Sequence, residues 1–358
     1  MSPSRYISHS IYNRNHLQSH NPLEFFHSMT SKREELKNHA PALDPALAAN
    51  DSFSLISNKK LLDLYSALVK SRIVAERVQT ILNQGKLKHR KLTANGRPAV
   101  GQEAAAVGVA IDLSPEDTVA FSTGSSYISC LIPCLVRGLP LETLLDGLFH
   151  PTAPSLGGPA QLKIATDAAL ANRLHQSRLH QNRLHQGKLH QSKLHKNNRI
   201  AVAFSSRAST ALGFPHKALE LADARRLPMI FVSWNSPNSL ALRRSSTNSG
   251  ANSSADSQTK AKSVSAKTMP YSFPAIPVDG NDVVAVYRVA HEAIGHARQG
   301  DGPTLIECIA DGSERSDPLL NMESYLTRKG IFSERFKAEI AGEFNRKMDA
   351  ALEKAGKP

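Results

Sequence analysis

"IAVAFSSRASTALGFPHKALELADARRLPMIFVSW", from Ile200 to Trp234, is the stretch that decides the fold. Ile200 to Phe204 reads as a buried strand. Leu212 to Arg226 reads as a helix with Leu219 and Ala222 on its inner face, and Leu227 to Trp234 as a second apolar strand. Two continuously apolar strands joined by an amphipathic helix predict a βαβ unit in a parallel sheet covered on both faces. The turn after the first strand of such a unit is where a phosphate-bearing ligand meets the amides of the following helix. Here that turn carries Ser205, Ser206 and Arg207, with neither a glycine nor a carboxylate.

The same alternation extends in both directions. Asn58 to Gln84 has Leu62, Tyr65, Val69 and Ile73 at helical spacing, with Ser57 or Asn58 to cap it and Gly85 to stop it. Gly101 to Ile111 and Leu141 to Phe149 read as helices, and Asp117 to Phe121 as a strand. Downstream, "PAIPV" is strand-like. Asn281 or Asp282 caps a helix with Val283, Val286, Tyr287, Ala290, Ile294 and Ala297 on one stripe, and Gly300 ends it. Pro303 to Ala310 is another buried strand, and Ser333 caps a last helix with Phe336, Ile340, Phe344 and Met348 four apart. The expected architecture is an α/β fold, a mostly parallel sheet with helices on both faces. Residues 54–358 are expected to form one domain behind a disordered or extended tail, 1–53.

The formal charge of +13 invites a nucleic-acid reading, but its distribution argues otherwise. Residues 172–199 hold seven cations and no acid, and residues 243–268 add a net +4, so the remainder is nearly neutral. The first of these segments contains five pentads, "NRLHQSRLHQNRLHQGKLHQSKLHK". In a helix, period five scatters Leu174, Leu179, Leu184, Leu189 and Leu194 around the axis. In a strand it alternates them between faces. A basic loop over 172–198 is therefore expected; a pentapeptide β-helix is the alternative. His175, His180, His185, His190 and His195 stand at i,i+5, a poor spacing for two metal ligands on one helical face. The serine- and lysine-rich run 243–268 offers only Val264 as a large apolar side chain and reads as a second loop.

Cys130, Cys134 and Cys308 make neither a disulfide framework nor a CxxC pair, and are expected to be small buried residues in a reducing compartment. "YISCLIPCLV" is too short to span a bilayer, so no membrane association is expected. The first 23 residues contain no acid, which resembles a transit peptide only faintly. The expected location is the cytoplasm, or the mitochondrial matrix if the source is eukaryotic.

In order along the chain, "LLDLYSALVKSRIVAERVQTILNQGKL", "GQEAAAVGVAIDLSPEDTVAFST", "RGLPLETLLDGLF", "ALELADARRLPMIFVSWN", "VDGNDVVAVYRVAHEAIGHARQGDGPTLIE" and "SDPLLNMESYLTRKGIFSERFKAEI" resemble the alpha subunit of the thiamine-diphosphate-dependent 2-oxo-acid dehydrogenases (pyruvate, branched-chain and acetoin types). The resemblance implies a thiamine-diphosphate-binding fold and a diphosphate held through Mg²⁺. It also implies a beta-subunit partner in an α2β2 heterotetramer, or else a homodimer. The family's Gly-Asp-Gly, whose carboxylate binds the metal, aligns with Ser206, Arg207 and Ala208. Its Glu-Asn-Asn at the end of the second strand aligns with Trp234, Asn235 and Ser236, so Asn235 is kept and the metal-ligating second asparagine becomes Ser236. The tyrosine that follows aligns with Asn238, a Tyr-Arg pair with Thr123 and Gly124, and the active-site histidine with Ser313.

Scaffold motifs persist while five cofactor or catalytic features are altered. The first expectation is therefore a 2-oxo-acid dehydrogenase alpha-subunit homologue with no metal site and lost or impaired Mg-thiamine diphosphate binding, serving a structural or regulatory role. A second is an active alpha subunit in which Arg207 holds the diphosphate directly, helped by amides around Ser209 and Thr210. A third is a polyanion-binding module acting through the pentads.

Overall fold

The computed structural model describes residues 56–84, 102–121, 127–149, 159–184, 198–206, 214, 216–234, 271–309 and 317–355, all within the compact unit Ala42–Pro358. Along the chain the elements are α1 (Asn58–Asn83), α2 (Glu103–Ala110), β1 (Thr118–Phe121), α3 (Tyr127–Val136), α4 (Leu141–Phe149), α5 (Pro159–Leu184), β2 (Ala201–Ser206), α6 (His216–Ala224), β3 (Met229–Trp234), β4 (Ala275–Asp279), α7 (Val283–Gln299), β5 (Thr304–Ile309), α8 (Pro318–Arg328) and α9 (Glu334–Ala355). The strands form one sheet in the order β1-β2-β3-β5-β4, every pairing parallel. The predicted α/β class is thus observed.

Both faces of the sheet are buried. Val202, Phe204, Ile230, Val232 and Ile306 point into the larger core, with α1, α2, α3, α4, α7, α8 and α9. Ala201, Ala203, Met229, Phe231 and Leu305 point the other way, onto Leu162, Ala165 and Ala169 of α5 and Leu219 and Ala222 of α6. This explains why the strands read as continuous apolar runs rather than alternating ones. The α2–α7 contact depends on Gly108, where a Cβ would fall 2.7 Å from Val286 Cγ1 and 3.0 Å from the Tyr287 nitrogen.

Helix ends follow the expected chemistry. The Ser57 hydroxyl accepts from the Lys60 amide, Asp282 from the Val284 and Ala285 amides, and Gly300 closes α7 in the left-handed conformation at φ 85°. Ser333 Oγ accepts from the Phe336 amide at the start of α9. All three cysteines are free and buried.

Two expectations need correction. The pentads do not begin a loop, because α5 continues through Asn172 to Leu184. Leucine, arginine, glutamine and lysine are good helix formers, no proline interrupts the run, and Leu162, Ala165 and Ala169 root the helix on the sheet. Local propensity thus carries the pentad half of the helix, which has no apolar stripe, and Leu174 is accordingly left exposed. At the end of this segment, Asn198 donates through Nδ2 to the Arg298 carbonyl at 2.7 Å. The helix expected from Leu212 instead begins at His216, since Phe214 is a bend before Pro215 and a residue preceding proline is disfavoured in the α conformation. The tail 1–53, the rest of the pentads from 185 to 197, and the 243–268 run lie outside the described residues.

A buried ion pair locks the amino edge of the sheet. Asp117 is fully buried and accepts from Arg298 Nη2 at 2.6 Å and Nη1 at 3.1 Å. It also accepts from the Ile200 amide at 3.0 Å and the Ser114 amide at 2.7 Å. One side chain therefore sets the start of β1 against the start of β2 and ties both to the end of α7. Removing Arg298 would leave a buried carboxylate without its counter-ion. Arg298→Met is expected to lower unfolding stability by about 3–5 kcal/mol in urea denaturation, and the double variant with Asp117→Asn to cost less than the two singles combined.

A second ion cluster ties α1, α2 and α8 together. Arg72 Nε donates to Glu103 at 2.7 Å, and its two terminal nitrogens donate to Asp317 at 3.0 and 2.9 Å. Burial pulls the Asp317 carboxyl upward, but hydrogen bonds and charge from Arg72, with the Leu319 amide, outweigh it and hold the group below the usual carboxylate range. A group whose folded-state affinity for protons is depressed stabilises the fold above its unfolded value, about 3.9 for Asp. That stabilisation is lost as pH falls below this value. Asp317→Asn should therefore destabilise the protein at neutral pH and flatten the acid limb of a stability-versus-pH curve.

Candidate functional site

The carboxyl ends of the strands define the site. Ser206 pairs with Trp234 across β2 and β3, Trp234 with Cys308 across β3 and β5, and Asp279 with Ile309 across β4 and β5. From β2 to β3 the chain crosses through α6 on one face of the sheet. From β4 to β5 it crosses through α7 on the other, moving along the sheet in the opposite direction. The chain leaves β1 toward α3 on the larger-core face and β2 toward α6 on the other, so among the described residues a switch point falls between β1 and β2. Ligands of open α/β sheets bind outside the carboxyl ends at such a point.

The two faces at this edge differ in chemistry. On the larger-core face, Phe121 stacks on Phe204 with ring centroids 5.7 Å apart, and Phe204 meets Trp234 at 5.0 Å. This aromatic ladder runs across β1, β2 and β3. Cys308 lies beside Trp234, its thiol pushed up to about 12 chiefly by burial and further by Glu307 and Asp279, so it offers no thiolate at neutral pH. On the opposite face the register aligns Ser205, Ser233 and Glu307 in a buried polar row. Ser205 and Glu307 are engaged, whereas Ser233 Oγ and Trp234 Nε1 are buried with no hydrogen-bond partner. An unpaired buried polar group costs about 1–3 kcal/mol, and β3 ends on two in succession.

Among the described residues at this edge, the Asp279 and Glu307 carboxylates are both engaged. Asp279 accepts from the Asn281 amide at 2.9 Å. The Gly280 amide donates to the Ile309 carbonyl at 2.8 Å, and a Cβ on Gly280 would sit 3.2 Å from Cys308. The sheet thus closes tightly between β4 and β5. Among the described residues, no three His, Cys, Asp or Glu side chains converge as a metal site would require.

Arg207, Asn235, Ser236, Asn238 and Ser313 lie outside the described residues, as do Thr123, Gly124, Ser209 and Thr210. Their neighbours are placed: Arg207 and Asn235 are the next residues after the paired Ser206 and Trp234, and Ser313 is four residues beyond Ile309. The reading of the sequence missed the polar row and the Arg72 cluster. The row had a visible signal, since "FSS", "VSW" and "IEC" each carry a polar residue near the end of an apolar strand. The Arg72 cluster had none, because its partners lie 31 and 245 residues away.

The family model described as "Dehydrogenase E1 component" matches residues 72–311. The chain is 28% identical over 313 residues to the 3-methyl-2-oxobutanoate dehydrogenase subunit alpha of Mycobacterium tuberculosis, covering 77% of this chain and 73% of that protein. It is 24% identical over 347 residues to the 2-oxoisovalerate dehydrogenase subunit alpha of Bacillus subtilis, covering 84% and 92%. Among solved structures, benzoylformate decarboxylase from Polynucleobacter necessarius matches 63% of this chain at 13% identity and a TM-score of 0.33, and the chain spans 35% of that enzyme. The matched span, with its strands and helices in the order the sequence predicted, places this chain in the dehydrogenase E1 component family, as a homologue of the alpha subunits of 2-oxo-acid dehydrogenases.

Proposed function

We propose that this chain is an alpha-subunit homologue that has given up Mg-thiamine diphosphate binding in the family manner. It serves a structural or regulatory role in an assembly with a beta subunit of the same dehydrogenase type. One observation carries the reading. Ser206, the last residue of β2, pairs with Trp234, the last of β3, and Arg207 follows Ser206 in the sequence. That is the position at which the resemblance puts the metal's carboxylate.

The donor set supports the same conclusion. Mg²⁺ is a hard cation that wants anionic or carbonyl oxygen in near-octahedral geometry. The last side chains of β3 and β5 are a hydroxyl, an indole, a thiol and an alkyl group, and the first residue past β2 is a cation. These residues do not suit the ion. Ser313, at the family's histidine position, has no proton to exchange near neutral pH. Proton transfer would therefore fall to groups outside this chain.

The test is a calorimetric titration of the full-length chain with thiamine diphosphate, with and without Mg²⁺, alone and with its cognate beta chain. No Mg²⁺-dependent binding is expected up to about 1 mM cofactor, a range in which even an interaction of about 4 kcal/mol would register. Micromolar, Mg²⁺-dependent binding would overturn the proposal. Binding that ignores Mg²⁺ and disappears in Arg207→Asp would favour an active subunit that grips the diphosphate through arginine.

A further inference from the structure

The buried anchors of α5, Leu162, Ala165 and Ala169, all lie in its first half. Arg173 Nη1 donates to the Gly300 carbonyl at 3.0 Å, so by that residue the helix has reached the end of α7, at the amino edge of the sheet. Leu174, His175 and Ser177 are already exposed. From Leu174 to Leu184 the helix runs on for about 15 Å past that edge. Residues 172–184 hold Arg173, Arg178 and Arg183 and no acid, so the charge that the rest of the fold lacks is gathered here.

More cations stand around the root of this arm. Arg226 Nη2 donates to the Asp301 carbonyl at 3.1 Å, next to the carbonyl that holds Arg173. Arg225 and Arg226, just after α6, are exposed, as is Arg199, just before β2. Asn198 ties Arg199 to the same place through the Arg298 carbonyl. The acids exposed on this edge are Asp301 and Glu116.

The pattern separates the partners that take up a basic helix. A membrane surface wants an apolar face opposite the cationic one, and a protein groove wants apolar anchors at helical spacing. The pentads supply neither. Each turns the helix by about 140°, which spreads Arg173, Arg178 and Arg183 evenly around the axis. Cations on every side suit a helix flanked by phosphates on both sides. The major groove of B-form DNA, about 12 Å wide, provides that and admits an α-helix. Binding driven by counterion release needs no apolar core, and the planar guanidinium fork meets phosphate oxygens two at a time.

We infer that residues 172–184 of α5 form a DNA-binding arm, seated without sequence preference in the major groove of duplex DNA. Arg199, Arg225 and Arg226 at its root meet the flanking phosphates. The inference is independent of the fate of the cofactor site, which belongs to the opposite edge of the sheet.

The probe is a labelled DNA duplex of mixed sequence, titrated with the full-length chain and followed by fluorescence anisotropy between about 50 and 200 mM salt. Binding is expected at the low end and should weaken linearly on a log–log plot against salt. The double variant Arg178→Gln/Arg183→Gln keeps good helix formers and should reduce that slope by about 2, about one per lost phosphate contact. Arg199→Gln/Arg225→Gln should do the same from the root. Arg328→Gln, at the exposed end of α8, should leave the slope unchanged. Duplex RNA of the same sequence, whose A-form major groove is deep and narrow, should bind at least about tenfold more weakly. Circular dichroism checks the fold of each variant, and the DNA-against-RNA comparison on the wild type stands whatever the variants do.

No binding at about 50 mM salt overturns the inference. So does a slope that either double variant leaves unchanged, which assigns the affinity to basic residues elsewhere in the chain. Equal affinity for duplex RNA overturns the seating in the groove. Binding to vesicles of anionic phospholipid without binding to DNA assigns the arm to a membrane surface and overturns it as well.

Discussion

Everything in this fold hangs on the carboxylate of Asp117. It is fully buried, and four donors converge on it from α7, from the start of β2 and from the turn before β1. A charge taken out of water is tolerable only when it is paired and its lone pairs are filled, and those donors come from three different stretches of chain. Satisfying Asp117 therefore fixes the relative height of β1 and β2. With parallel strands that offset propagates through every later pairing, because one residue of slip would exchange the two faces. The aromatic ladder and the polar row at the opposite edge inherit their alignment from it.

The molecule thus divides its chemistry by edge. At the amino edge, Arg298, Arg137 and Asn198 bind carbonyls and carboxylate with short hydrogen bonds. The carboxyl edge leaves two buried polar atoms on β3 unmet.

Most of the fold was legible because its determinants are local. Strand polarity, the caps at Ser57, Asp282 and Ser333, and the Gly300 stop each depend on a few adjacent residues, and all sit where the pattern put them. Two elements escaped for the complementary reason. The α5 helix has no apolar stripe over its second half, so periodicity could not announce it, whereas propensity and an anchored first half could sustain it. The start of α6 was misplaced because Pro215 outweighs the apolar run before it. At the site, the residues aligned with the family's motifs could be named from sequence. The unpaired Trp234 N–H could not, since hydrogen-bond satisfaction is a property of the packed chain.

The α5 helix has a consequence for how this sequence can change over generations. Its root, Leu162 to Ala169, grips the sheet, and the pentads begin only after that root. Tandem units of fifteen nucleotides are prone to copying slippage, and a gained or lost unit that stays helical alters the reach by about 7.5 Å and turns the tip by about 140°. The rooted turns are untouched either way. Copy number is thus free to drift beyond the root, and length variants of this arm should arise readily while the sheet beneath stays the same.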